Sequence, residues 1–112
     1  MGRVFKKYYD KGVVFRCGAC RTHLALETNV MSKTFVGKYG TAYLFETALN
    51  VESGPCEERQ LTTGLHSVAD IFCTECSEYV GWTYHNAYAR SQKYKIGKFI
   101  LELGAMERHT IE

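Results

Sequence analysis

Four of the five cysteines occur in two pairs of the same spacing, Cys17-Gly18-Ala19-Cys20 and Cys73-Thr74-Glu75-Cys76. A C-x-x-C pair lets both sulfurs of one tight turn face a single ion at roughly 2.3 Å. Two such turns complete a tetrahedral set of four sulfurs, the closed kind of site with no position left for water. Thiolates select a soft ion, and one without redox chemistry suits a structural role. The expectation is therefore one structural Zn2+ held by Cys17, Cys20, Cys73 and Cys76. The interval between the pairs is long, so the ion closes a long loop and constrains the unfolded chain accordingly. Gly18 suits such a knuckle, because glycine reaches positive φ beside the metal. A catalytic zinc needs three protein ligands and a free position. His23, three residues past Cys20, is the candidate replacement ligand, and it reads instead as an exposed or neighbouring group.

The 112 residues make about one domain. A domain of this size buries only about two-thirds of the surface it exposes unfolded, so a metal staple matters to it. An odd cysteine count argues against a secreted disulfide scaffold. The opening MGRVFKKYYD lacks the apolar core of a secretory signal. No apolar run approaches the ~20 residues that cross a bilayer. Lys6 stands where a myristoylation pattern asks for Ser or Thr. Together these point to the nucleus or cytoplasm, where thiols stay reduced, and away from membranes. The formal net charge is +2, and it falls to about zero once four thiolates and one divalent ion are counted. The basic residues are also scattered, so a nucleic-acid partner is not expected.

The rest of the chain reads as short strands. Val13-Val14-Phe15-Arg16 leads into Cys17, and Val68-Ala69-Asp70-Ile71-Phe72 leads into Cys73. Thr34-Phe35-Val36, Thr41-Ala42-Tyr43-Leu44-Phe45, Val80-Gly81-Trp82-Thr83-Tyr84 and Phe99-Ile100-Leu101-Glu102-Leu103 are similar runs, rich in β-branched and aromatic residues. Ser53-Gly54-Pro55 has the composition of a turn. Residues 87–95 are the best helix candidate, and a short one. Alternation puts Val68, Asp70 and Phe72 on one face, and Val80, Trp82 and Tyr84 on one face. Six or so antiparallel strands in two small sheets give an all-β fold with little helix.

The stretches CGACRTHLA, SKTFVGKYGTAYLF, LNVESGPCEERQLTTGLHSVADIFCTECSEYVGWTY and SQKYKIGKFILEL closely resemble the Yippee family. The resemblance covers about residues 13–105. It implies a β-tent, or Mss4-like, fold in which two antiparallel sheets meet at the structural four-cysteine zinc site. It leaves residues 1–12 as an N-terminal segment and 106–112 as a C-terminal tail. That fold is shared more distantly with Mis18 centromere proteins, the ligand-binding domain of cereblon and methionine sulfoxide reductase B. The family implies a non-enzymatic protein-interaction module. Some members are similar to proteins associated with a GID/CTLH-type ubiquitin ligase, so ubiquitin-ligase subunits are the partner class it suggests, with a regulatory role.

Two surfaces remain as candidates for binding. By resemblance to cereblon, Trp82 and Tyr84 fall on two positions of an aromatic cage, whereas Thr62 and Val68 stand near its other walls, so the cage is incomplete. His66, Trp82, Tyr84 and Phe45 are the candidates for a shallow pocket taking a small ligand or a modified peptide. The alternative is that Trp82 and Tyr84 are core residues and His66 a satisfied loop residue. Gly2, Arg3, Val4 and Phe5 set two apolar residues among charges, which suits a docking segment or a first strand. The fifth cysteine, Cys56, follows the turn at 53–55 beside Glu57 and Glu58, which disfavour a thiolate. No late cysteine offers a reductase nucleophile.

Overall fold

A computed structural model of the chain describes residues 7–111. Among these residues there are ten strands and three short 3-10 turns. The strands are β1 (Gly12–Cys17), β2 (His23–Leu26), β3 (Val30–Gly37), β4 (Gly40–Phe45), β5 (Val51–Ser53), β6 (Glu57–Leu61), β7 (Gly64–Cys73), β8 (Tyr79–Ala87), β9 (Phe99–Glu102) and β10 (Met106–Ile111). They form two antiparallel sheets, β10-β1-β2 and β3-β4-β9-β8-β7-β5, with β6 also paired to β7. β7 is ten residues long and takes β5 against its end and β6 against its start. Between those two strands lies the predicted turn. Gly54 still donates to the Asp70 carbonyl at 2.8 Å, and Pro55, with no N–H to give, interrupts the ladder.

The large sheet carries a core on each face. Phe15, Cys17, Leu24 and Ala25 of the small sheet pack on Phe45, Ile71, Cys73, Val80 and Leu101 of the large one. On the other face Ala42, Leu44, Val68, Tyr84 and Ile100 cluster, with Phe35, Leu61 and Trp82 against them. This explains why so many strands are apolar on both sides. It also sets the glycine at position 81. A Cβ there would fall 1.8 Å from the Ile100 carbonyl oxygen, so only glycine admits β9 at this distance.

Three expectations change. Val80 does not share a face with Trp82 and Tyr84, because the register shifts between Ile71 and Phe72: Ile71 opposes Gly81 while Phe72 opposes Tyr79. Val80 is the extra residue of that bulge, and it turns inward to the core between the sheets while Trp82 turns to the far face. The predicted helix over 87–95 is a 3-10 turn, Arg90–Lys95, preceded by Ala89 in extended conformation; Ala87 still belongs to β8. The predicted tail contains β10, which pairs with β1 from Gly12↔Ile111 to Cys17↔Met106. Its charges disguise it in the sequence. Glu107 pairs with Arg16, and Arg108 with Glu27, along the rim of the small sheet. The docking candidates Gly2, Arg3, Val4 and Phe5 lie outside the described residues.

Candidate functional site

Each C-x-x-C turn hangs from the end of a strand, β1 for the first and β7 for the second. The two are built alike. Arg21 N–H donates to the Cys17 carbonyl and Ser77 N–H to the Cys73 carbonyl, both at 2.8 Å. Cys17 N–H donates to the Thr22 carbonyl and Cys73 N–H to that of Glu78, at 2.8 and 2.9 Å. The left-handed residues are Arg21 (φ 66) and Ser77 (φ 64), one past each second cysteine. Gly18 is therefore not the positive-φ residue expected of it. Its role is close approach: its N–H donates to the Ala105 carbonyl at 2.9 Å, and a Cβ would sit 3.3 Å from that oxygen.

The four sulfurs converge within 4.8 Å of one another. Cys17 Sγ lies 3.6 Å from Cys76 Sγ, and Cys20 Sγ 3.6 Å from Cys73 Sγ. A tetrahedron of thiolates at roughly 2.3 Å from its centre has edges of about 3.8 Å, close to these two separations, so the donor set suits one ion. Since Cys17 belongs to the small sheet and Cys73 to the large one, an ion held there would fasten the two sheets together at one end.

The protonation chemistry of the cluster agrees. Burial pushes the Cys17 thiol up. Burial, then contacts with the other three thiols, push Cys76 up to about 12. Partial desolvation raises the Cys20 thiol, on an otherwise exposed residue, but the Thr22 hydroxyl, 3.0 Å from Sγ, and the Thr22 backbone lower it to about 7. Thiolates this close together need a cation between them to offset their mutual repulsion.

Two supporting residues escaped the sequence reading. Thr22 is one. Asn50 is the other: its backbone is left-handed (φ 58), its carbonyl accepts from Thr74 N–H at 2.9 Å, and its side chain donates to the His23 carbonyl at 2.7 Å. It thus ties the two knuckles together. Its tolerance of that conformation, at the entry to a strand, was the only available sign. His23 itself is no ligand here: its Nδ1 accepts from Tyr9 N–H at 3.0 Å.

The far face of the large sheet holds two adjoining clefts of about 710 and about 340 Å3. Val36, Leu61 and Trp82 line both. β3 and β6 stand at opposite edges of the sheet, so the sheet curls until its two edges share one hollow. Of the predicted pocket residues, Trp82 and Tyr84 line the larger cleft. Phe45 does not; it is buried on the other face, 5.6 Å from the Phe15 ring, because alternation along β4 sends Leu44 to the cleft side and Phe45 away. His66 is buried behind Tyr84, ring centroids 5.3 Å apart, and its Nδ1 meets the Gly64 carbonyl at 2.9 Å. Phe35 and Lys95 complete the cleft, and the sequence had marked neither.

A family model described as "Yippee zinc-binding/DNA-binding /Mis18, centromere assembly" matches residues 13–112. This chain belongs to the Yippee family. Protein yippee-like 4 of Homo sapiens is 52% identical to it, over 93% of this chain and 83% of that one. Protein yippee-like 3 of Danio rerio is 53% identical over 93% and 88%. Protein yippee-like of Solanum tuberosum is 51% identical over 91% and 78%. The crystal structure of the Mis18 "Yippee-like" domain superposes with a TM-score of 0.70 over 89% of this chain and 97% of that one, at 15% identity. At that identity the likeness is one of fold. The two sheets and the cysteine cluster are thus the Yippee architecture that the sequence implied.

Proposed function

We propose that this Yippee-family chain is a non-enzymatic, zinc-stabilised protein-interaction module, and that its partners meet the far face of the large sheet. The observation that carries the reading is the set of exposed apolar side chains at the two clefts and beside them. Val36 is 78% exposed and Tyr94 53%, and Tyr39, 57% exposed, meets edge-on the ring of Tyr79 in the smaller cleft, on a fold whose apolar needs two cores already meet. The ion supports a structural and not a catalytic role, because four protein thiolates fill its coordination. Zn2+ fits that donor set, and it is the ion in the family's description. Cys56, the remaining thiol, is exposed and pairs with Ser67 Oγ at 2.9 Å. Arg16, Arg59 and Arg108 are each held by carboxylates, which favours a protein partner over a phosphate backbone. Ubiquitin-ligase subunits are the first partner class to test, as the family resemblance suggests, in the nucleus or cytoplasm.

The test is affinity capture from cells, comparing the wild-type chain with Val36→Asp and with a double change of Tyr39 and Tyr94 to Ala. Partners held by this face are lost from both variants while the melting temperatures stay within a few degrees. An unchanged partner set refutes the assignment of the face. A second reading, a small-ligand or peptide reader, is favoured by the larger cleft itself, whose aromatic walls are Phe35, Trp82 and Tyr84. Ligand-dependent quenching of the single tryptophan tests it.

A further inference from the structure

Lys95 is only 2% exposed, and no carboxylate pairs with it among the described residues. Its Nζ donates to Thr63 Oγ1 at 3.1 Å and lies 5.2 Å from the ring centroids of both Phe35 and Tyr84. All three of these neighbours line the larger cleft, as does Lys95. An ammonium has three N–H donors, and one hydroxyl with two aromatic faces replaces little of the water it has lost. Burial accordingly pulls its pKa down. At the same cleft, Gln92 Oε1 is shielded from solvent and has no hydrogen-bond partner. A buried cation lacking a counter-charge and a shielded acceptor lacking a donor thus border one hollow with aromatic walls.

We propose that the larger cleft binds a carboxylate carrying an apolar side group and a nearby amide N–H, with Lys95 Nζ as the counter-charge and Gln92 Oε1 accepting the N–H. The inference rests on reading this cleft as a ligand site. The carboxylate supplies the acceptors that Lys95 lacks, in a place where water competes poorly, and the side group packs on Trp82 and Phe35. Two sources share this chemistry: the C-terminal residue of a polypeptide and a free N-acylated amino acid.

The experiment titrates the intact protein with N-acetyl-phenylalanine and with N-acetyl-phenylalaninamide, following the fluorescence of Trp82. The same titration is repeated with a Gly-Gly-Gly-Gly-Phe peptide whose C-terminus is free or amidated. The acid is expected to bind at least about tenfold more tightly than the amide, the difference a charged hydrogen bond makes. Lys95→Met keeps the packed stem, removes the charge, and is expected to abolish that preference. Gln92→Ala leaves the buried charge in place and is expected to weaken the acid a few-fold. Tighter binding of the free peptide than of the free N-acetyl amino acid assigns the ligand to protein ends, and the reverse order assigns it to small acids. Equal binding of acid and amide, or an acid preference that survives Lys95→Met in a protein shown to be folded by circular dichroism, overturns the carboxylate and leaves the cleft as a reader of something else. No binding of any probe up to millimolar concentration overturns both.

Discussion

Replacing Cys73 with Ser removes one of four ligands from a cluster whose Cys17 and Cys76 sulfurs meet although 59 residues apart in the chain. Cys73 is fully buried, so the substitution leaves a hydroxyl among thiols and a poorer grip on the ion. The entropy of closing a loop of that length, taken as for a cross-link, is worth about 4 kcal/mol at room temperature. A domain of this size has only about 5–15 kcal/mol to lose. The variant is therefore expected to lose about 4 kcal/mol or more and to stand near the limit of folding at 37 °C. Urea unfolding followed through Trp82 measures it, alongside metal content by elemental analysis. A chelator should shift the wild-type curve to the same extent and leave the variant, already without metal, unmoved. A variant within about 1 kcal/mol of wild type, or a wild type indifferent to chelation, would refute the argument that the ion fastens the two sheets.

Other outcomes follow from the packing. Glu102, fully buried at the end of β9, accepts from Tyr39 N–H at 2.6 Å, Lys38 N–H at 3.0 Å and Tyr79 Oη at 2.6 Å, so it ties the β3–β4 hairpin to the sheet. Glu102→Ala should cost about 2–4 kcal/mol in denaturant unfolding, because three donors lose a charged acceptor. It should also bring the Tyr79 phenol, now raised by burial and by Glu102, back towards its ordinary pKa in an ultraviolet titration. Gly81→Ala should force β8 and β9 apart and cost about 3 kcal/mol, with lost amide protection in both strands by hydrogen exchange. Lys95 carries a folded-state pKa below its unfolded 10.5, so the unfolded chain binds more protons between those two values. Stability attributable to this residue then rises with pH across that window. The stabilising effect of Lys95→Met on the melting temperature should accordingly be larger at about pH 7 than at about pH 10.5.

The cysteine spacing was enough, by itself, to foretell that four sulfurs converge and join two distant turns. Sulfur ligation is short-ranged and tolerates few geometries, so four residues at two spacings carry the whole constraint. The β character was legible for a similar reason: Val68–Phe72 and Thr41–Phe45 show their strand preference locally. The tertiary structure alone decided the faces. A one-residue bulge at Val80 reverses the inward direction for half of β8, and nothing in the run Val80-Gly81-Trp82 announces it. Alternation then removes Phe45 from the cleft, and the curl of the large sheet brings Phe35 from one edge towards Leu61 from the other. Met106–Ile111 looked like a tail because its charges pair across strands, with Arg16 and with Glu27, and such pairs are invisible along the chain. Lys95 is the clearest case. Lysine in a polar stretch reads as a solvated side chain, and only the folding of its 3-10 turn against β8 puts that charge between two rings. Local chemistry is written in the order of residues; burial depends on what the rest of the fold brings alongside.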